Sequence, residues 1–302
     1  MEILWNRTSR TVWDRLVKGA ALQQDWAYGA ACEALGSTVL RAEIRDRGDR
    51  IGAVQLIHRP ILRLLNGAVA TRGPVWQADV PAHTMGSAVR ALANSLPLPG
   101  WRGLLLTPDL TCDAALRKSG FQRVMTPYAT VMLDLTQDQS ILRNRMHQKW
   151  RNRLVSAEQA GIVITRTDAR PEHYLWLLEA EAEQQRRNRY RALPPALVPA
   201  WQASGGQLRV YTANHQDRIV AAMLFLLHGN SATYHIGFSN EDGRRLSAHN
   251  LLMWNAMRRL PKAGISTLDL GGLNTHDAPG IARFKLGTGG QVKTLCGTWF
   301  GR

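Results

Sequence analysis

Twice along the 302 residues the same order of elements recurs, and this repetition constrains the fold more than any single motif does. In the first half, helical patterns at Ser9–Gly19 and Gln24–Gly36 precede strand-like runs at Thr38–Arg45, Arg50–His58 and Gly67–Thr71. A helix around Ala82–Asn94, a strand at Trp101–Thr107, a short helix at Asp113–Ser119 and a strand at Tyr128–Leu135 complete it. The second half opens with a helix near Pro171–Arg189, then strands at Gln207–Ala213, Arg218–Leu227 and Ser231–Phe238. A helix at Leu246–Leu260, a strand at Ser266–Leu270, a loop and a last strand near Val292–Trp299 follow. No residue-by-residue repeat accompanies the order. The reading is an α+β protein made by duplication, with domains at 1–136 and 137–302, a size that suits two domains.

The stretch Ser266–Gly290 carries the strongest site pattern. Thr267–Leu270 reads as a buried strand end, and Gly271-Gly272 allows close backbone approach because no Cβ stands in the way. After a polar loop, Pro279 begins a segment that places Phe284 beside Lys285, and Gly287, Gly289 and Gly290 close it. This is the layout of a cleft at a strand's carboxyl end. Asp269 is read as a support for the glycine loop, and either Tyr234 or His235 faces inward from its strand.

Between the halves, one helix is predicted over Gln137–Ala160, with Thr136 and Gln139 as a capping box and Gly161 as the stop. Leu142, Met146, Trp150 and Leu154 form its apolar stripe. Arg145, Lys149 and Arg153 line another face, and Arg143 and Arg151 extend a basic run with no acid between Gln139 and Ala157. Like charges at such spacing cost stability unless an anion screens them, so Arg145, Lys149, Arg151 and Arg153 are candidate nucleic-acid contacts. The whole chain agrees: 38 Lys and Arg against 23 Asp and Glu leave +15, which favours an anionic partner.

Three isolated cysteines make neither a disulfide framework nor a metal site, and the nine histidines show no ligand spacing. No metal and no resident cofactor are expected. No signal peptide is evident at Met1–Asn6, and the longest apolar run, Ile219–Leu227, is too short to span a bilayer. The expected location is cytoplasmic, with peripheral contact at the inner membrane surface.

Five segments occur in an order and spacing that resemble the Fem-type aminoacyltransferases. They are Leu22–Gly29 (LQQDWAYG), Thr71–Trp76 (TRGPVW), Lys149–Arg153 leading to Ala157–Gly161, Leu268–Gly272 (LDLGG) and Gly280–Lys285 (GIARFK). The resemblance covers about residues 20 to 299. It implies a tandem duplication of the GNAT acyltransferase fold, aminoacyl-tRNA as donor, and a peptidoglycan precursor or another small peptide amine as acceptor. It also implies that Phe284 and Lys285 meet the aminoacylated end, the lysine supporting the transition state. Arg72, Arg187, Arg189, Arg191, Tyr234, Gly271 and Gly272 are the substrate-binding candidates. The chain departs from one branch of that family at Cys32, where the branch has a phosphate-binding lysine, and at Pro195, where it has a tyrosine four residues after the arginine matched by Arg191.

Two other readings compete. An acyl-CoA-dependent N-acyltransferase on the same fold needs a glycine-containing turn at a helix N-terminus for the pyrophosphate. The turn here, Arg244–Asn250, has no glycine after Gly243, nor has Gln77–Pro81 in the first half. A non-catalytic RNA- or membrane-surface-binding protein would have no need of Phe284 and Lys285 between glycines.

Overall fold

The chain forms two mixed sheets, as the repeated order predicts, although each takes one strand from the other half of the chain. The computed structural model describes residues 1–61, 65–77, 79–110, 112–167, 169–188 and 192–302. Two units result, one of Met1–Tyr128 with Thr294–Arg302, the other of Ala129–Lys293.

In the first unit the elements run β1 (Glu2–Trp5), α1 (Arg10–Leu16), α2 (Trp26–Ala34), β2 (Val39–Asp46), β3 (Asp49–Ile61), β4 (Leu65–Thr71) and β5 (Val75–Trp76). After them come α3 (Ala82–Asn94), β6 (Trp101–Thr107), α4 (Asp113–Lys118) and β7 (Gln122–Met125). The second unit has β8 (Ala129–Asp134), α5 (Gln139–Arg145), α6 (Gln148–Gln159), β9 (Val163–Thr167), α7 (Leu175–Asn188) and α8 (Leu197–Ala203). It continues through β10 (Gln207–His215), β11 (Arg218–His228), β12 (Ser231–Ser239), α9 (Glu241–Arg245), α10 (Ala248–Arg259), β13 (Thr267–Gly272), α11 (Pro279–Gly287) and β14 (Gln291–Thr294). The chain then returns to the first unit as β15 (Thr298–Gly301).

The first sheet runs β1-β2-β3-β4-β6-β15-β7, and the second β14-β8-β13-β12-β11-β10-β9. The boundaries therefore differ from the expected 1–136 and 137–302. β8 pairs with β13 and β15 with β6, so the strand before the linking helices belongs to the second sheet and the last strand to the first. The single strand expected over Val292–Trp299 is accordingly two strands in two sheets, separated by Gly297 at φ +83°.

A second correction concerns the helix predicted over 137–160. It is two helices, broken at Met146 and His147, whose ψ values of 140° and 142° are extended. The His147 N–H donates to the Gly287 carbonyl at 3.0 Å instead of continuing the helical ladder. The capping box is absent too: Asp138 is the N-cap, and Thr136 Oγ1 donates to Asp134. The apolar stripe holds. Leu142, Met146, Trp150 and Leu154 are all buried in the core of the second unit, with Met223 and Phe225 of β11 and Leu252, Met253 and Ala256 of α10. Burying each such large side chain stabilises by about 1.5–3 kcal/mol, which is why packing rather than helix continuity decides the path here.

Candidate functional site

The site follows from how two parallel strands part. In the first unit β4 and β6 pair along their whole length, from Leu65 opposite Trp101 to Thr71 opposite Thr107. In the second unit the equivalent pair, β12 and β13, is joined only at Ser231–Thr267, Ala232–Leu268 and Thr233–Asp269. Beyond that point both strands carry irregularities. On β12, His235 is the extra residue between Tyr234, opposite Phe225, and Ile236, opposite Leu224. On β13 the pairing with β8 shifts between Asp269 and Gly272. The extra residue on each strand turns the backbone away from its neighbour, and a wedge opens between them.

Asp269 fixes the β13 side of the wedge. Its carboxylate accepts from the Gly271 N–H at 2.7 Å and from Thr130 Oγ1 at 2.5 Å, the loop support read from the sequence. Gly271 has φ +75°, in the left-handed region that favours glycine. The segment from Pro279 is helical, and α11 returns over the opening. Lys285 is buried, 8% exposed, and its Nζ donates to the Gly272 carbonyl at 2.8 Å. Burial holds its pKa below the ordinary lysine value, against the opposing pull of Asp269. An ammonium has three donors. Gly272 occupies one; among the described residues no acceptor takes the other two.

Phe284 is half-buried, its ring 5.8 Å from Trp150 and 6.0 Å from His249. His249 stands in the first turn of α10, its Nε2 2.8 Å from the Phe238 carbonyl, and burial lowers its pKa. Two buried nitrogens, Trp150 Nε1 and His235 Nε2, have no hydrogen-bond partner among the described residues. Burial also pushes the His235 pKa down to about 4, so the ring is neutral near pH 7. Buried polar atoms without partners are uncommon and mark places where a ligand can supply the missing bond.

The second glycine cluster has a different purpose from the one expected. A Cβ on Gly287 would lie 2.5 Å from the Trp150 ring, one on Gly289 would strike the Arg145 carbonyl, and one on Gly290 would meet Val131 at 2.6 Å. These glycines let α11 and its exit pack against α5, α6 and β8. Only the first pair, Gly271 and Gly272, borders the wedge.

The remaining predicted residues separate. Tyr234 packs on Phe225 at 5.7 Å, and its hydroxyl fills the space a side chain on Gly237 would need, where His249 also reaches. Arg72, expected to bind substrate, is instead buried in the first unit, where its guanidinium forms an ion pair with Asp109 and its N–H donates to Thr107 Oγ1. The neighbouring motif is structural as well. Gln24 donates to the Thr71 and Gln55 carbonyls at 2.8 and 3.1 Å and accepts from the Gln55 N–H, filling the space beside Gly73. Cys32 is buried, which raises its thiol pKa. Arg187 is exposed in the last turn of α7, while Arg189 and Arg191 lie outside the described residues. On the linking helices Arg145, Lys149 and Arg153 are exposed and Arg151 is half-buried. Arg143 leaves the basic run by pairing with Glu158 through two bonds of 2.6 and 2.7 Å.

The three cysteines are free, and no group of metal-ligating side chains occurs among the described residues. Within the same residues, no helix is long and apolar enough to cross a membrane.

Residues 144–286, from the linking helices to α11, match the family described as Acetyltransferase (GNAT) domain. No curated protein matches the chain. The fold is a tandem GNAT fold. The crystal structure of FemX superposes with a TM-score of 0.82 at 15% identity, covering 99% of this chain and 97% of that one. A tandem GNAT protein from the clavulanic acid biosynthesis pathway gives 0.55 at 14% identity, over 99% and 98%. The C-terminal domain of a putative lysylphosphatidylglycerol synthetase from Agrobacterium fabrum gives 0.56 at 13% identity, over 97% and 91%.

Proposed function

We propose that this protein is an aminoacyltransferase of the Fem kind, which moves an aminoacyl group from aminoacyl-tRNA to the amine of a small peptide such as a peptidoglycan precursor. The observation that carries the reading is the buried Lys285 ammonium at the mouth of the wedge, with one donor held by Gly272 and two left over. The acceptor amine attacks the ester carbonyl carbon. The C–N bond forms as the carbonyl electron pair moves onto oxygen, and Lys285 stabilises that oxyanion from a site largely out of water. Collapse breaks the ester C–O bond, and the ribose oxygen leaves with the proton that the amine gives up. Phe284, held between Trp150 and His249, offers a face to the terminal base of the donor.

Two features favour a nucleic-acid donor over CoA. The exposed Arg145, Lys149 and Arg153 lie in the segment just before and within α6, the helix whose Trp150 contacts Phe284. At the N-terminus of α10, where an acyl-CoA enzyme would cradle pyrophosphate on bare backbone, Ala248 is buried and His249 packs on Phe284. The second reading, an acyl-CoA-dependent N-acyltransferase, has in its favour the acetyltransferase family match over 144–286.

A donor assay separates them. Purified protein is offered labelled aminoacyl-tRNA pools and acyl-CoAs together with a cell extract as acceptor source, and binding of each donor is measured by calorimetry. Consumption of aminoacyl-tRNA with salt-sensitive binding is the expected result. Tight binding of acetyl-CoA that persists in high salt would replace the first reading with the second.

A further inference from the structure

At the other end of α10 from His249 lies a cavity of about 380 Å³ lined by Arg166, Arg209, Arg258, Arg259 and Lys262. Among the described residues no carboxylate lines it; its neutral polar walls are Gln139, Tyr211 and Asn255. From the structure we infer that this cavity is a binding site for a compact ligand bearing two adjacent phosphoryl groups, of the pyrophosphate or nucleoside diphosphate class.

The cations converge from three separate elements. Arg166 on β9 stands directly opposite Tyr211 of β10, and Arg209 lies two residues from Tyr211 on the same face. Asn255, Arg258 and Arg259 of α10 follow i, i+3, i+4 spacing and so share one helix face, and Lys262 joins them from the 3-10 turn Pro261–Ala263 just beyond. Basic residues in a helix's last turn are favoured by the helix dipole, which accounts for Arg258 and Arg259 but for neither strand arginine. Like charges on neighbouring strands repel, as do cations gathered around one cavity. An arrangement that costs stability when empty is relieved by an anion.

The floor is built. Tyr211 is 2% exposed, and burial raises its phenol pKa against the opposing pull of Arg209, Arg259 and Arg166. Arg258 Nε is tied to Gln139 Oε1 at 2.9 Å, and Arg209 Nη1 to the Leu208 carbonyl at 2.9 Å. Both guanidiniums are thereby held in place with donors to spare. A nucleic-acid backbone spreads its charges along a ridge or groove; here the charges gather in a concavity of small-ligand size. Chain order places the cavity at the end of α10 opposite the wedge, roughly 18 Å away at 1.5 Å per residue over twelve residues. The assignment does not depend on the donor used at Lys285.

Calorimetry on the full chain with inorganic pyrophosphate, orthophosphate and a nucleoside diphosphate tests it. Pyrophosphate is expected to bind at least tenfold tighter than orthophosphate, and the double substitution Arg209→Gln, Arg259→Gln to weaken it at least tenfold. Lys285→Met, at the other site, should leave that affinity unchanged. Whichever of pyrophosphate and the nucleoside diphosphate binds tighter identifies the source of the phosphoryl pair. The melting temperature of the unliganded double variant should be unchanged or raised, since repulsion has been removed. The assignment fails if pyrophosphate gives no saturable binding up to millimolar concentration, or binds the double variant as well as the natural protein. It fails also if Lys285→Met abolishes the binding, or if only a single-stranded RNA oligonucleotide depends on Arg209 and Arg259.

Discussion

Lys285 Nζ reaches the Gly272 carbonyl at 2.8 Å, so the helix that carries the lysine is tied to the end of the strand it faces. Lys285→Met removes that bond. Gly272 is exposed, so water can take over its carbonyl, and the stability cost is about 1 kcal/mol. Turnover is expected to fall by about 10²–10³-fold, the usual effect of deleting one oxyanion donor. A melt and a single-turnover assay measure the two quantities, and near-normal turnover would remove Lys285 from the mechanism. Because burial lowers the pKa of Lys285, the alkaline limb of kcat/KM should lie below the ordinary lysine value of 10.5. In Lys285→Met that limb disappears.

The glycines around α11 predict contrasting stabilities. Gly289→Ala forces a side chain against the Arg145 carbonyl at φ +80°, and Gly287→Ala presses on the Trp150 ring. Each should cost about 1–3 kcal/mol, Gly289→Ala the more because backbone cannot swing aside. Gly280 in the first turn of α11 has open space around it, so Gly280→Ala should be neutral or stabilise by up to about 1 kcal/mol. Thermal melts of the three variants give the order directly, and a Gly280→Ala that melts lowest would contradict the packing described.

Charge reversal on the linking helices probes the donor. Lys149→Glu with Arg153→Glu alters two exposed side chains that have no ion-pair partner among the described residues, so the fold should persist. If both touch phosphates, the slope of log affinity for tRNA against log salt should flatten by about one unit per lost contact. An unchanged slope with an unchanged melting temperature would make these helices an ordinary solvated surface.

Much of this architecture could be read from the residues, and what could not has identifiable causes. The long runs of β10, β11 and β12 and the periodic stripe of α6 are strong local signals, because many residues agree. The break at Met146 and His147 is not local: it needs the Gly287 carbonyl, 140 residues away, to accept the His147 N–H. Strands β1, β5, β7 and β9 have two to five residues each and gain their identity only by pairing. Phe284, Lys285 and the Gly271-Gly272 pair stood out as a candidate site because glycine, aromatic and lysine occur together in one short stretch, and Lys285 does reach Gly272. At Thr71–Trp76 the motif marked Arg72 as a substrate-binding candidate, but its presence does not reveal that the arginine is buried and paired with Asp109. The five-cation cavity could not be seen at all beforehand. Its α10 half has helical spacing, but Arg166 and Arg209 join it only through strand pairing.

Asp25 yields the last prediction, in the first unit. It caps α2 by accepting the Ala27 N–H at 2.8 Å, yet burial raises its pKa from 3.8 to about 6. A carboxyl harder to ionise when folded than when unfolded contributes most below pH 3.8, and that contribution is lost as pH rises through about 6. Asp25→Asn keeps the capping oxygen and removes the titration. The natural protein should therefore lose up to about 2 kcal/mol relative to Asp25→Asn between pH 4 and pH 6.5, since Asp25 retains some contact with solvent. Urea melts of both proteins across that range measure the difference at each pH, and other groups cancel in the comparison. A difference that stays flat, or that turns in favour of aspartate as pH rises, would show that the cap and its surroundings stabilise the charge more than burial opposes it.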